Sequence, residues 1–86
     1  MLVGDEVLVL TRRTTVKVRN LAAHPRASVC EHTSARWATL EGPAYVVDDE
    51  ASLTRARAAY LHRFGREDTW GDCVLVIKVD RVLTGT

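Results

Sequence analysis

Proline, glycine and aromatic residues are scarce in this chain: two Pro, five Gly and only 6% Phe, Trp and Tyr among 86 residues. Beside 47% hydrophobic and 27% charged residues, that scarcity excludes a disordered or fibrous chain and describes an ordinary globular one. Long hydrophobic runs are missing too. The longest, Val7 to Leu10 and Cys73 to Ile77, fall far short of the ~20 residues that span a bilayer as a helix, so no membrane partner is expected. An excess of either charge is also lacking. Twelve Lys and Arg against eleven Asp and Glu leave a net charge of +1, which excludes a global field for nucleic acid or an anionic surface. The start Met1-Leu2-Val3-Gly4-Asp5-Glu6 carries acids where a secretory signal would carry Lys or Arg, and the expected location is cytoplasmic. In that compartment the two cysteines, Cys30 and Cys73, are expected as reduced thiols. A chain this short has room for one core, so residues 1–86 are read as a single domain.

What is present is patterned. From Val7 to Cys30 the chain holds Arg12, Arg13, Lys17, Arg19 and Arg26 without one Asp or Glu, a local cation patch. Glu6 to Thr11 is a β-branched and apolar run after the turn pair Gly4-Asp5, hence a strand in a hairpin whose first arm has only Met1, Leu2 and Val3. Thr14 or Thr15 caps a short helix over about Val16 to Ala23, stopped by His24-Pro25. Arg26 to Glu31 and Arg36 to Val47 form an antiparallel pair, with a bulge or bend at Gly42-Pro43. Asp48 or Asp49 caps a second helix ending near Phe64 with Gly65 as its C-cap, and Leu53, Ala56, Tyr60 and Phe64 form its buried stripe. Asp72 to Leu83 reads as one long final strand, apolar at both parities through Cys73-Val74-Leu75-Val76-Ile77. Burial on both faces requires either a barrel interior with a helix outside or a subunit interface. The fold class is mainly β, a β-barrel with helices.

One cluster carries chemistry. Thr11, Arg12, Arg13, Thr14 and Thr15 lead into a helix start bearing Lys17 and Asn20, and hydroxyls, cations and free backbone N–H groups together suit a phosphate. A solvated basic helix start is the plainer alternative. The histidines His24, His32 and His62 show no second short-spaced ligand pair, so no metal is assigned. Cys30 and His32 are available as a nucleophile and base, but nothing in the sequence orients them, and no catalytic side chain is assigned. Trp37 shares a strand face with Thr39 and Glu41, a position for stacking on a planar ring or for an interface.

The ordered set Lys17-Val18-Arg19-Asn20-Leu21, Pro25-Arg26-Ala27-Ser28-Val29, Arg36-Trp37 with Leu40-Glu41-Gly42, the Asp-capped helix and the closing Val-x-Val-x-Arg-Val strand resembles one family. It is similar to the pyridoxamine 5'-phosphate oxidase-like superfamily, in particular its small flavin- or deazaflavin-dependent reductases. The resemblance implies an FMN-binding split β-barrel that acts as a homodimer and takes FMN or a deazaflavin as cofactor for hydride transfer to a small-molecule substrate. It assigns Lys17 to the cofactor phosphate, with Thr11, Arg13, Thr15 and Asn20 nearby and Trp37 beside the cofactor ring and the dimer interface. Members of the family carry a helix and two strands ahead of the position of Gly4-Asp5, so it also implies an N-terminally shortened barrel. A non-catalytic dimeric cofactor-binding or structural remnant of that family is the alternative. Nucleic acid is not expected as a partner, because the net charge is near zero and no pair of aromatics is placed to stack bases.

Overall fold

The computed structural model describes residues 2–3, 5–21, 23–33 and 35–85. The chain is mainly β, with strands β1 (Leu2–Val3), β2 (Glu6–Thr11), β3 (Arg26–Thr33), β4 (Arg36–Val47), β5 (Cys73–Lys78) and β6 (Arg81–Gly85). Helix α1 (Val16–Asn20) follows β2, and helix α2 (Glu50–Phe64) follows β4. All neighbouring strands are antiparallel, in the order β1-β2-β5-β4-β3, while β6 also pairs with β4. Gly4 lies outside the described residues, but the hairpin expected around it is present as the short β1–β2 ladder.

β4 belongs to both halves of a curled sheet. Its residues Arg36 to Pro43 pair with β3 on one edge, and Trp37 to Glu41 pair with β6 on the other. Beyond the bend, Ala44 to Val47 pair with β5. Register shows how the bend is made: between the pairs Ala44↔Ile77 and Glu41↔Arg81, two residues of β4 (Gly42, Pro43) face three of the partner (Lys78, Val79, Asp80). One extra residue in a ladder is a β-bulge, which bends the strands and increases their twist. The expected irregularity at Gly42-Pro43 is thus real, but its extra residue sits opposite. For the same reason the expected single strand Asp72 to Leu83 is two strands interrupted at Val79-Asp80. The freed backbone groups find partners at the corner, with Asp80 N donating to Glu41 O and Val79 N to Asp5 O, both at 2.9 Å. Arg26 clamps it from outside, both guanidinium nitrogens donating to the Asp80 carboxylate at 2.9 and 2.8 Å.

β5 is buried from Cys73 through Ile77, as its two-sided apolar pattern requires. Leu75 and Ile77 point into the curl with Val7, Leu40 and Ala44, joined by half-buried Val9, Ala27 and Val29. Val74 and Val76 point the other way and pack with Leu8 beneath Leu53 and Ala56 of α2. Of the two expectations for this strand, a curled sheet interior with a helix outside therefore accounts for both faces within one chain.

Helix α2 begins where Asp49, not Asp48, accepts a hydrogen bond from Ser52 N at 2.9 Å, and it ends at Gly65 in the left-handed conformation (φ 71°). Only the first half of the expected apolar stripe is core. Leu53 and Ala56 are buried, Tyr60 is half-buried, and Phe64 is 53% exposed, because the last turns border an open gap between β2 and β3 rather than packed strands. Two smaller expectations also change. α1 stops at Asn20 rather than Ala23, since Leu21 caps it, and Ala22 lies outside the described residues. β3 continues to Thr33 rather than ending at Glu31, pairing Thr33 with Arg36. Among the described residues no helix is long and apolar enough to cross a membrane.

Three outcomes follow from this packing. Leu53→Ala should destabilise by about 2–4 kcal/mol and Phe64→Ala by about 1 kcal/mol or less, as read from chemical denaturation; equal losses would contradict the placement of α2. Gly42→Ala should cost about 3 kcal/mol or more, because a Cβ there collides with the Lys78 carbonyl. The Asp80 carboxyl is held below its ordinary value near 3.8 chiefly by the Arg26 hydrogen bond, and that of Asp49 chiefly by Ser52. Carboxyls depressed in the folded state stabilise it above their unfolded value and lose that contribution as pH falls through the folded one. Melting temperature should therefore drop from about pH 5 to about pH 3, and less steeply in Asp80→Asn; parallel curves for the two proteins would remove Asp80 as a cause.

Candidate cofactor site

Three strand ends meet at one end of the sheet: the last residue of β2, the last of β4 and the first of β5. The turn from β2 into α1 is anchored there by Asp72 N donating to Thr11 O at 2.9 Å, and by the Cys73 thiol 3.6 Å from the same carbonyl. Thr11 is buried, and its hydroxyl lies 3.2 Å from that of Thr15. The Thr15 hydroxyl donates to Arg12 O at 2.8 Å. Thr15 occupies the N-cap position of α1, yet its side chain makes no capping hydrogen bond. The backbone donors of the first turn of α1 are thus without a side-chain cap.

The cations of this segment have partners that sequence order concealed. Arg13 donates to Asp48 at 2.7 Å, its backbone N–H donates to Asp72 at 3.0 Å, and Arg12 lies 3.7 Å from the Asp72 carboxylate. The Asp48 hydrogen bond, then its charge, hold the Arg13 guanidinium protonated more firmly than usual. Arg12 also lies over the Trp70 ring, 5.8 Å from its centroid. Asp48, Asp72 and Trp70 were missed as members of this cluster. Asp48 could have been included on one ground: only one of Asp48 and Asp49 can cap α2, and the other is then free to pair with a cation.

Asn20 and Leu21, at the end of α1, line a cavity of about 530 Å³ inside the curl. Val9, Ala27, Val29, Leu75 and Ile77 supply apolar walls, and His24, Arg26 and Ser28 a polar rim. A volume of this size with a few convergent polar groups falls within the range of small-molecule sites. A second cavity of about 450 Å³ opens on the other side of the β2–β3 gap, and Val9 and Val29 border both.

The six expected site residues thus divide into separate places. Thr11, Arg13 and Thr15 are together in the turn, and Asn20 is at the cavity rim. The side chain of Lys17 lies outside what the structure describes, although its backbone is in α1. Trp37 is elsewhere, packed over Gly85 in the β4–β6 ladder. It is ten residues along β4 from Val47, about 30 Å of strand before allowing for the bend. Among the described residues no group of three or more His, Cys, Asp or Glu side chains is gathered as a metal ion would need. Both cysteines are free thiols, Cys73 buried and Cys30 exposed on β3. Neither a known family model nor any curated protein matches the sequence.

Proposed function

We propose that the chain binds a flavin-type cofactor, FMN or a deazaflavin, as a homodimeric split β-barrel of the pyridoxamine 5'-phosphate oxidase-like superfamily, with reductase chemistry. The observation that carries this reading is the apolar cavity within the curled sheet, with Asn20 on its rim at the end of the helix that the Thr11-to-Thr15 turn opens. Its Val and Leu walls suit a planar ring, and the turn supplies Thr15 and Arg13 for a phosphate, with the buried Thr11 hydroxyl held against Thr15. The ion pairs that now occupy Arg12 and Arg13 are solvent-exposed. Exposed pairs are weak because water and salt screen them, so a phosphate dianion can compete with Asp48 for Arg13. Bound there, the cofactor would supply hydride transfer, while the protein holds ring and phosphate in place. Trp37 projects from the face of β4 opposite Leu40, away from that cavity, so it does not share the site within one chain. Its role beside the ring therefore needs a second copy, which fits the homodimer.

The pairing of Arg12, Arg13 and Arg26 with Asp72, Asp48 and Asp80 favours a second reading, a non-catalytic dimeric module. Those pairs leave little net positive charge in the segment that would have to attract a phosphate. Titration of the purified chain with FMN and with a deazaflavin, followed by visible absorption, separates the two. On the first reading both Lys17→Ala and Arg13→Ala weaken binding roughly 10- to 150-fold, the range for loss of one charge-assisted contact. Asp48→Asn, which releases Arg13, should tighten it. Arg55→Ala on α2 serves as the control. Absence of binding by the unmodified chain supports the module instead.

A further inference from the structure

The two thiols differ sharply in setting, and the exposed one has a partner that the sequence alone left unoriented. Cys30 and His32 are two apart on β3 and so project from the same face. Cys30 Sγ lies 3.4 Å from His32 Nε2, within hydrogen-bonding reach for sulfur. Both line the cavity of about 450 Å³ between the β2–β3 gap and the end of α2. Its other walls are apolar and aromatic, with Leu8, Leu10, Tyr60 and Phe64, and its charged members are Arg63 and Glu31. The Tyr60 and Phe64 rings are tilted at 45° with their centroids 4.6 Å apart, and the Arg63 guanidinium lies 5.3 Å from the Phe64 centroid. Cys73, by contrast, is buried, and burial pushes its thiol above the ordinary value.

We propose that Cys30 and His32 form a thiol-exchange site for a small disulfide carrying a carboxylate, independent of any cofactor in the other cavity. A nucleophile beside a base, in an open cavity with an apolar wall, is the arrangement that thiol chemistry needs. His32 Nε2 takes the proton from Cys30 as Sγ attacks one sulfur of the disulfide. A bond forms between Cys30 Sγ and that sulfur, the original S–S bond breaks, and the departing thiolate takes the proton back from His32. The net change is one thiol and one disulfide giving a mixed disulfide on Cys30 and one free thiol, with no other oxidant. The exposed Phe64 and half-buried Tyr60 rings receive the apolar part of the ligand, and Arg63 its carboxylate. This gives a use to the last turn of α2, which contributes nothing buried to the core.

The test is the rate at which the full chain reacts with a bis(nitrobenzoate) disulfide and with the neutral bis(hydroxyethyl) disulfide, with the modified residue located by mass spectrometry. An unassisted thiol is only a few per cent thiolate at neutral pH, so proton transfer to an adjacent imidazole can accelerate exchange by roughly tenfold. The expected result is that Cys30 in the folded chain reacts about tenfold faster than in the same chain unfolded in urea, while folded Cys73 stays unmodified. His32→Gln should abolish that advantage with both probes. Arg63→Gln should slow the carboxylate probe several-fold and leave the neutral one unchanged. A folded Cys30 no faster than the unfolded one, or an unchanged rate in His32→Gln, overturns the proposal. Equal slowing of both probes in Arg63→Gln overturns its preference for an anion. The comparison of folded with unfolded chain needs no variant, so the outcome does not depend on how well the substituted proteins fold.

Discussion

Everything in this fold passes through the place where β4 and the β5–β6 segment bend together. Gly42 is there because the Lys78 carbonyl occupies the space a side chain would need. That close approach lets the Glu41 carbonyl accept from Asp80 and lets the bulged residues turn the sheet. A sheet without this bend would keep β3 and β6 level with β2, and Val9 and Val29 would not border the same cavities. The interior of the curl, and both cavities beside it, are therefore consequences of one backbone contact. Arg26 lies on the rim of the larger cavity and also clamps Asp80 across the corner, so the same side chain serves the fold and the candidate site.

The division of the core follows from β5. A strand apolar on both faces cannot lie at the surface of a single-layer sheet, and here one face is filled by the curl and the other by α2. The helix is longer than that task requires. Its first half supplies Leu53 and Ala56, and its second half borders the gap between β2 and β3 with Leu61 and Phe64 exposed. On the β4–β6 ladder Trp37, Val82 and Leu83 are also exposed.

Much of this was legible from residue types because local rules agreed with the packing. Both ends of α2 were marked by residues whose chemistry suits only an end, Asp49 as acceptor and Gly65 at positive φ. The buried character of Cys73 to Ile77 followed from parity alone. What could not be read was long-range. The break at Val79-Asp80 arises from register against β4, and nothing in the run Lys78 to Val82 announces it. Phe64 continues a helical stripe perfectly well, and only the gap between β2 and β3 beside it decides that it is exposed. The arginine pairs span 35 to 60 positions, so the acid-free stretch that reads as a cation patch is largely neutralised by acids near the starts of α2, β5 and β6. Likewise Cys30 and His32 were visible, but their hydrogen bond and the aromatic wall facing them depend on how the sheet curls.

The same long-range pairing decides how the two cavities differ chemically. At the strand ends, donors and cations are abundant but already answered by Asp48 and Asp72, so a phosphate must displace carboxylates that the chain supplies itself. That competition is possible because the pairs are exposed and screened, and it makes any affinity there sensitive to salt. In the second cavity the charges are not paired in this way: among the described residues no ion pair joins Arg63 or Glu31 to another side chain. Cys30 and His32 are hydrogen-bonded to each other, a contact that a thiol-exchange step uses rather than has to break. Binding of a phosphate at the strand-end turn therefore begins with rearrangement, whereas chemistry in the second cavity begins from the geometry already present.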